Sequence, residues 1–319
     1  MDEFIVQPGD RDDAPIAVFI MGPTATGKTD LAIACAEQFD MDIISVDSAL
    51  VYRDMDIGSA KPDAATLLRA PHKLVDILDP AEAYSAGRFR EDALVEMTSS
   101  TAKGRIPCLA GGTMLYFNTL QKGIANLPDS NPEIRQRLAD QAQQNGIETM
   151  HARLAEVDPE SAERLHPNDP QRILRALEVY EIAGKTLSAL WAEQDKHVLP
   201  YRVIKLALVP PDRVELRKRI EQRFDAMLVG GLIDEVKALY ERGDLSLDTP
   251  SMRAVGYRQV WLYLSGQYDY ATMREKAITA TAQLAKRQMT WLRSEADCNF
   301  INPETLNIGK VLKNLKFLL

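Results

Sequence analysis

The chain has 319 residues, which is enough for one large domain with an insertion or for two domains. Hydrophobic residues make up 45% of it and charged residues 26%, as in an ordinary globular protein, and no apolar run approaches the ~20 residues of a membrane span, so we expect no membrane partner. The net charge of −8 argues at first against a nucleic-acid partner, yet segment 251–293 carries seven basic side chains against two acidic ones.

The amino terminus and the cysteines bear on the cellular compartment. Residues 1–15 are acidic and lack the apolar stretch of a secretory signal, so we expect a disordered extension. Cys35, Cys108 and Cys298 lie far apart without C-x-x-C spacing, which argues against a zinc site or a disulfide framework and favours a reduced, cytoplasmic setting. Cys35 and Cys108 stand in apolar contexts and are predicted to be core residues, not nucleophiles.

The first predicted strand, 16–21, leads into a glycine-containing loop. The loop fits G-x-x-x-x-G-K-[ST], a motif that holds phosphates with successive backbone N–H groups and the start of the next helix. In that role Lys28 neutralises phosphate charge and Thr29 is a Mg²⁺ ligand. The ordinary alternative is a turn with a surface lysine, and a diphosphate fits the motif as well as a triphosphate does. The predicted phosphate-binding residues are Gly22, Pro23, Thr24, Ala25, Thr26, Gly27, Lys28 and Thr29.

Strands then alternate with helices, which predicts a parallel sheet with its ligands at the carboxyl ends of the strands. Leu31, Cys35 and Phe39 share one face of the helix after the loop, and Ser85 is placed to cap a later helix. The further predicted strands of the chain are 42–46, 73–78, 106–110 and 201–209, with a helix at 114–120.

Polar residues and prolines near 126–132 mark a boundary, and no strand pattern follows until residue 201. Helical patterns between these points cover 132–145, 147–157, 159–165 and 170–183. Those after the last strand cover 212–229, 233–242, 251–264 and 270–293. The predicted fold class is therefore α/β, a P-loop NTPase-like parallel sheet flanked by helices (16–125 and 200–319) with an all-helical insertion domain (126–199).

Two other segments at strand ends carry candidate chemistry. Asp47 follows strand 42–46, where a carboxylate can hold a metal through water or accept a proton from a nucleophile, although capping a turn is its ordinary alternative. Strand 106–110 is followed by Gly111, Gly112 and Thr113. As in the first loop, glycines allow close approach of the backbone to a ligand, and a threonine offers a hydroxyl and an N–H at the start of a helix. Many ordinary strand-to-helix turns also contain glycine. Together with the loop, these residues predict an active site with a clamp for a leaving group.

Several motifs in combination resemble the tRNA dimethylallyltransferase (tRNA isopentenyltransferase) family, over about residues 16–295. The chain is identified as a bacterial-type member because it lacks the cysteine-histidine zinc finger of eukaryotic members. The matching motifs are Gly22–Thr29, Ile44–Tyr52, Met55–Pro62, Gly111–Tyr116, His166–Glu178, Val255–Gln259 and Leu284–Arg293.

The resemblance implies transfer of the dimethylallyl group from dimethylallyl diphosphate to the exocyclic N6 of adenine 37, next to the anticodon of tRNA, with release of diphosphate. The glycine-containing loop and Mg²⁺ would then grip the departing diphosphate without ATP hydrolysis. By resemblance, Asp47 is the general base, and Thr113 and Arg223 contact the diphosphate. The adenine would have to leave the stacked anticodon loop to reach a pocket at the strand ends.

The resemblance also implies contacts to tRNA. The sequence agrees in part, because Lys276, Gln283, Lys286, Arg287 and Arg293 fall on one broad helix face, and Arg172 and Arg175 are expected to point outward; a solvated charged surface is the alternative in both cases. The tRNA contacts implied by the family are Asp47, Ser48, Ala49, Leu50, Thr113, Arg135, Gln171, Arg172, Ile173, Leu174, Arg175, Arg253, Ala254, Val255, Gly256, Tyr257, Arg258, Lys286, Arg287, Gln288, Met289, Thr290, Trp291, Leu292 and Arg293.

Three other functions fit parts of the pattern. An adenylate isopentenyltransferase would use free AMP, ADP or ATP and would need neither a basic platform nor a helical insertion. A P-loop small-molecule kinase would need a triphosphate donor and an arginine-rich lid, and a nucleotide-switched binding module would bind GTP or ATP tightly. Nothing in the sequence suggests an obligate interface, so we expect a monomer.

Overall fold

The computed structural model describes residues 13–125, 127–193 and 199–319. Most of the predicted disordered extension, 1–15, lies outside these ranges. The chain divides into two compact units, one with the described residues up to Leu120 and Leu199–Leu319, the other with the described residues between Gln121 and Val198.

A six-stranded parallel sheet forms the centre of the first unit, which confirms the predicted fold class. Its order is β3-β2-β4-β1-β5-β6, so the first strand lies inside the sheet between β4 and β5. The strands are β1 Ile16–Met21, β2 Met41–Val46, β3 His72–Lys73, β4 Ile106–Gly111, β5 Arg202–Leu208 and β6 Cys298–Ile301.

The helices of the described chain surround this sheet or form the second unit. They are α1 Lys28–Phe39, α2 Ala64–Arg69, α3 Ala86–Ala102, α4 Met114–Lys122, α5 Pro132–Asn145, α6 Ile147–Val157, α7 Pro159–Arg164, α8 Pro170–Ala183, α9 Leu187–Ala192, α10 Arg213–Val229, α11 Leu232–Glu241, α12 Tyr257–Leu264, α13 Tyr270–Arg293 and α14 Ile308–Leu315.

Alternation along β1 sends its side chains to two different cores, as the period of two residues in a strand requires. Phe19 and Met21 pack with α3, α4 and the end of α13. Val18 and Ile20 pack on the opposite face with α1 and α14. The sheet is thus covered on both faces, and its carboxyl edge is left to form the site.

The predicted helix faces and caps near the sheet are confirmed. The buried residues of α3 include Phe89, Ala93 and Met97, and the Ser85 hydroxyl accepts a hydrogen bond from the Arg88 N–H at 3.1 Å. Cys35 and Cys108 are fully buried, and burial raises the pKa of the Cys35 thiol to about 12. Both are therefore core residues, as predicted.

Other predicted elements are wrong in detail. The strand predicted at 73–78 is only His72–Lys73, because Leu74 and Asp76 have positive φ angles of 60° and 56°, which interrupt an extended chain. The helix predicted at 251–264 is a short 3₁₀ turn followed by α12, since Gly256 has φ 94° between them. Neither β6 nor α14 is predicted by the sequence pattern.

The second unit is helical, with α5 to α9 packed around its own core. Two buried carboxylates help to hold it together. Asp158 accepts hydrogen bonds from the N–H groups of Ser161 and Ser188, and so caps α7 while fixing the start of α9. Glu178 forms the other network and is described with the site residues below.

Candidate active site

The glycine-containing loop, 22–29, joins β1 to α1 in a tight turn and is called the cradle below. Gly27 takes the left-handed conformation (φ 81°) at the N-cap of α1. The Thr26 hydroxyl donates to the Pro23 carbonyl at 2.8 Å, and Lys28 Nζ donates to the same oxygen at 2.7 Å. A Cβ at Gly22 would lie 2.7 Å from the Leu208 carbonyl oxygen, so glycine is required there for the loop to pack on β5.

Two cations and one carboxylate lie within electrostatic reach of each other at this loop. Burial lowers the pKa of Lys28 to about 8, while the nearby Asp47 works to raise it and Arg223 lowers it further. Burial also lowers the pKa of Arg223, again opposed by Asp47. Two desolvated cations beside one carboxylate leave an excess of positive charge, which a polyanionic ligand would neutralise.

Asp47 and Thr113 are brought together because β2 and β4 are neighbours in the sheet. Asp47 Oδ1 accepts hydrogen bonds from the N–H groups of Ala49 (2.8 Å) and Leu50 (3.4 Å), which fixes the turn after β2. The Thr113 hydroxyl accepts a hydrogen bond from the Ser48 N–H at 3.2 Å. The two strand-end segments predicted as separate signals therefore form one hydrogen-bonded corner.

Glycine is mandatory at the end of β4. A Cβ at Gly111 would lie 2.0 Å from the Val46 carbonyl oxygen, a distance no real side chain shows. At Gly112 a Cβ would lie 2.6 Å from Gln288 Nε2, which donates to the Gly112 carbonyl at 2.8 Å. The Gly-Gly pair thus permits both the approach of β2 and the docking of α13.

All these segments line a single cavity of about 870 Å³. Its wall combines the cradle, the hydrogen-bonded corner of the two strand ends, part of the loop 55–62, four residues of α10, a loop before α12 and one face of α13. Among the lining residues are Thr24, Ala25, Thr26, Gly27, Lys28, Thr29, Asp47, Ser48, Ala49, Leu50, Thr113, Arg223, Arg253, Ala254, Val255, Gly256, Tyr257, Leu284, Arg287, Gln288 and Trp291. Gly22 and Pro23 are not among these lining residues; Gly22 packs against Leu208, and the Pro23 carbonyl accepts the hydrogen bond from Lys28.

A carboxylate that the sequence analysis missed holds one wall of the cavity. Glu235, on α11, accepts hydrogen bonds from the backbone N–H groups of Asp56, Ile57 and Gly58 at 2.7 to 3.1 Å. It also accepts one from the Tyr257 hydroxyl at 2.6 Å. One side chain thereby fastens the loop 55–62 to the start of α12, and residues of both line the cavity. Only the fold brings these groups together, so a scan for carboxylates at strand ends does not find Glu235.

Some residues predicted as RNA contacts on α12 and α13 have buried side chains, and their contact with RNA stays a prediction. The side chains of Tyr257, Met289 and Leu292 are buried in the helical and sheet cores, because they occupy the inward positions of their helices. Trp291 is 38% exposed and lines the cavity, and Lys286, Arg287, Thr290 and Arg293 are exposed.

The basic segment is smaller than its composition suggested. Arg274 is held by Asp225 and Glu221 of α10, at 2.6 to 2.7 Å, so its charge is already neutralised. Within the described ranges, Lys286, Arg287 and Arg293 have no carboxylate within 4.0 Å. The α13 cations open to a ligand in the described ranges are therefore Lys276, Lys286, Arg287 and Arg293, and three of these four lie in its carboxyl-terminal half.

In the second unit, Arg135 and Arg175 are ion-pair partners of one carboxylate, and the Arg135 side chain is 58% exposed whereas that of Arg175 is 29% exposed. Both contact the buried Glu178, at 3.2 and 2.9 Å, and Arg175 also donates to the Pro128 carbonyl. Burial acts to raise the pKa of Glu178, but the hydrogen bonds from Arg175, Ser130 and the Asn131 N–H outweigh it and the pKa is lowered. The expectation that Arg175 points freely outward is wrong.

The other predicted residues of α8 divide between core and surface. Ile173 is fully buried, and Leu174 packs against the same core. Gln171 and Arg172 are exposed, and Arg172 lies 3.5 Å from the Asp169 carboxylate. Only these two members of the predicted Gln171–Arg175 contact present their polar groups openly to solvent.

Comparison with known proteins decides the family. A family model described as IPP transferase matches residues 50–295, more than half of the chain. The chain belongs to the IPP transferase family. The motif resemblance is therefore confirmed, and the chain is a prenyltransferase.

Relatives of this IPP transferase carry consistent names. It is similar to a tRNA dimethylallyltransferase of Thioalkalivibrio sulfidiphilus, 56% identical over 303 residues and 95% of each chain. A second tRNA dimethylallyltransferase, of Nitrosococcus oceani, is 57% identical over 290 residues, or 91% of this chain and 92% of the other.

Solved structures agree with this assignment. The full-length tRNA isopentenylpyrophosphate transferase of Bacillus halodurans superposes with a TM-score of 0.69 at 34% identity, over 95% of each chain. A eukaryotic dimethylallyltransferase acting on tRNA gives a TM-score of 0.79 at 26% identity, over 96% of this IPP transferase and 77% of that chain. Among the described residues, no helix is both long and apolar enough to cross a membrane.

Proposed function

We propose that this IPP transferase moves the dimethylallyl group of dimethylallyl diphosphate to N6 of adenine 37 in tRNA and releases diphosphate. The observation that carries the proposal is the single cavity in which the cradle, two half-buried cations and a strand-end carboxylate meet. The names of the full-length relatives support the choice of donor and acceptor.

The cradle and its cations serve the leaving group. When the bond between the allylic carbon and the diphosphate oxygen breaks, the electron pair stays on the diphosphate and its negative charge grows. Lys28 and Arg223 are partly desolvated at this cavity, and together with the backbone N–H groups of the cradle they would stabilise that growing charge. The Thr113 hydroxyl lies at the same edge and can donate to the diphosphate while it accepts from the Ser48 N–H.

Asp47 serves the acceptor. The N6 amine of adenine is a poor nucleophile because its lone pair is delocalised into the ring, so it needs a proton acceptor and close alignment. Oδ1 of Asp47 is occupied by two backbone N–H groups, which orients the carboxylate and leaves Oδ2 for the amine. As the bond from N6 to carbon forms, a proton of N6 passes to Asp47.

The donor set of the cradle suits a magnesium ion carried with the diphosphate. Thr29 lines the cavity at the start of α1, and the buried Ser45 hydroxyl, also in the lining, has no hydrogen-bond partner in the described part of the chain. In the described part of the chain, no group of three or more His, Cys, Asp or Glu side chains could hold a metal ion. Magnesium typically takes one or two protein oxygens with waters and substrate phosphates, and it would add positive charge beside the departing oxygens.

The adenine reaches Asp47 only if it leaves the stack of the anticodon loop, at a cost of roughly a few kcal/mol. Contacts to RNA would offset that cost. The exposed cations of α13 would bind phosphates, and the partly exposed Trp291 would stack on a base. Gln171 and Arg172 of the second unit are further candidate contacts. Arg135 and Arg175 would contribute by keeping that unit folded.

The test uses labelled dimethylallyl diphosphate with Mg²⁺ and, separately, unmodified tRNA, AMP or buffer. The proposal predicts label in tRNA only, in a nucleoside whose mass has increased by one five-carbon prenyl group. Label in AMP would favour an adenylate isopentenyltransferase. Transfer of phosphate from ATP, with no transfer of label, would favour a kinase.

A further inference from the structure

A second, smaller groove lies beside the catalytic cavity, between α10 and α13. Its volume is about 260 Å³, and Ile220 of α10 lines both the groove and the cavity. On α13, Leu284 and Gln288 face the cavity, whereas Lys286 and Met289 face the groove. The groove therefore adjoins the active site along the same two helices.

The groove has an apolar floor and a basic rim. The floor is formed by Leu216, Ile220, Ala282 and Met289, and the rim carries Arg213, Arg217 and Lys286, with no acidic residue in the lining. The residues of the lining are Arg213, Leu216, Arg217, Ile220, Thr279, Ala282, Gln283, Lys286 and Met289.

The rim cations are available to a ligand. All three are exposed, and within the described ranges none has a carboxylate within 4.0 Å. The acids of α10 are committed elsewhere, since Glu215 pairs with Lys218 and Glu221 with Arg274. Three unneutralised cations around one groove, on a chain of net charge −8, indicate an anionic partner.

The size of the groove favours part of a polymer. A pocket that encloses a whole small-molecule ligand typically measures about 300–1,000 Å³, which is more than this groove provides. A nucleotide of a single strand presents an apolar ring face and a phosphate, which match the floor and the rim. The position of the groove beside the cavity then identifies the strand, because an RNA whose adenine enters the cavity must pass along one of its edges.

We propose that this groove binds a nucleotide flanking the modified adenine, with its phosphate on Arg213, Arg217 and Lys286 and its sugar or base on the apolar floor. The proposal rests on the tRNA-modifying function proposed above. It assigns a role to Arg213 and Arg217, which lie outside the sequence motifs. Both are on α10, the helix that also carries Arg223.

The test compares two neighbours on α10. Arg217→Ala removes a rim cation, whereas Lys218→Ala removes an exposed cation that is paired with Glu215 and lies outside the groove. For Arg217→Ala we expect tRNA affinity to fall about threefold to tenfold at moderate salt and the slope of log K against log salt to decrease by about 1. Lys218→Ala should change neither, and the KM for dimethylallyl diphosphate should be unchanged in both variants.

Equal tRNA affinities for Arg217→Ala and Lys218→Ala would overturn the proposal. So would a higher KM for dimethylallyl diphosphate with tRNA binding intact, because the groove would then serve a small anion. Failure of the wild-type protein to transfer label to tRNA would instead refute the proposed function, so the two failures are distinguishable. Circular dichroism and thermal melts establish that both variants are folded.

Discussion

The unusual protonation of Lys28 gives the sharpest prediction about ligand binding. Burial lowers its pKa from 10.5 to about 8, so about half of the free protein carries a neutral Lys28 at pH 8. A diphosphate in the cradle surrounds the amine with negative charge and should restore the pKa to its ordinary range. Binding therefore takes up about half a proton at pH 8, about 0.9 at pH 9 and only about 0.1 at pH 7.

The same shift sets the pH dependence of affinity. Above pH 8, each further unit should weaken diphosphate binding about tenfold, until the pKa of the bound state is reached. The stability of the free protein should change in the opposite sense. Between pH 8 and 10.5 the unfolded chain keeps a proton on Lys28 that the folded chain has lost, so this group increases stability as pH rises.

Calorimetric titration with magnesium diphosphate, in two buffers of different protonation enthalpy, counts the protons at pH 7, 8 and 9. Lys28→Arg is the matched control, because arginine stays charged over this range and any remaining uptake belongs to the ligand. The difference between the two proteins should be about half a proton at pH 8. If both bind diphosphate and take up equal numbers of protons at pH 9, the assignment of a depressed Lys28 pKa to the cradle is wrong.

Three other predictions concern the acceptor, the cavity wall and the RNA surface. Asp47→Asn keeps an oxygen for the turn but cannot accept the N6 proton, so turnover should fall by about 10²–10⁴ with tRNA binding nearly intact, and wild-type turnover would refute the base assignment. Glu235→Gln should lower the free energy of unfolding in urea by about 2 kcal/mol because it loses charge-assisted hydrogen bonds, whereas the exposed Asp234→Asn should not. Arg287→Ala should reduce the salt slope of tRNA binding by about 1, whereas Arg274→Ala, whose charge is already paired, should leave the slope unchanged; equal slopes for both variants would place Arg287 outside the interface.

Much of the fold could be predicted from the sequence because short-range signals, such as apolar runs and helix caps, agree with the central strands and helices that form. The strand 16–21 and the helix 270–293 end where the pattern predicts, since buried apolar runs and an Asp269 cap define them. The position of the glycine-containing loop between β1 and α1 could be predicted because its glycines and Lys28 lie within a few residues of one another. These are local signals, and tertiary structure has little opportunity to override them.

Features that depend on distant residues could not be predicted in this way. The strand β6 has four residues and owes its place to pairing with β5, which its own sequence does not reveal. Arg175 was expected to face solvent because its neighbours are apolar, but Glu178 and the Pro128 carbonyl draw it inward. Glu235 acts on N–H groups about 180 positions earlier in the chain, and only the packing of α11 against that loop reveals its role.

The most direct test of the central claim is a crystal structure of the protein with magnesium, diphosphate and an unmodified anticodon stem-loop. We predict diphosphate oxygens within about 3 Å of the backbone N–H groups of the cradle and of Lys28, and an unstacked adenine whose N6 lies at the same distance from Asp47. A diphosphate bound outside the cradle, or an adenine that remains stacked while Asp47 contacts no base, would contradict the account.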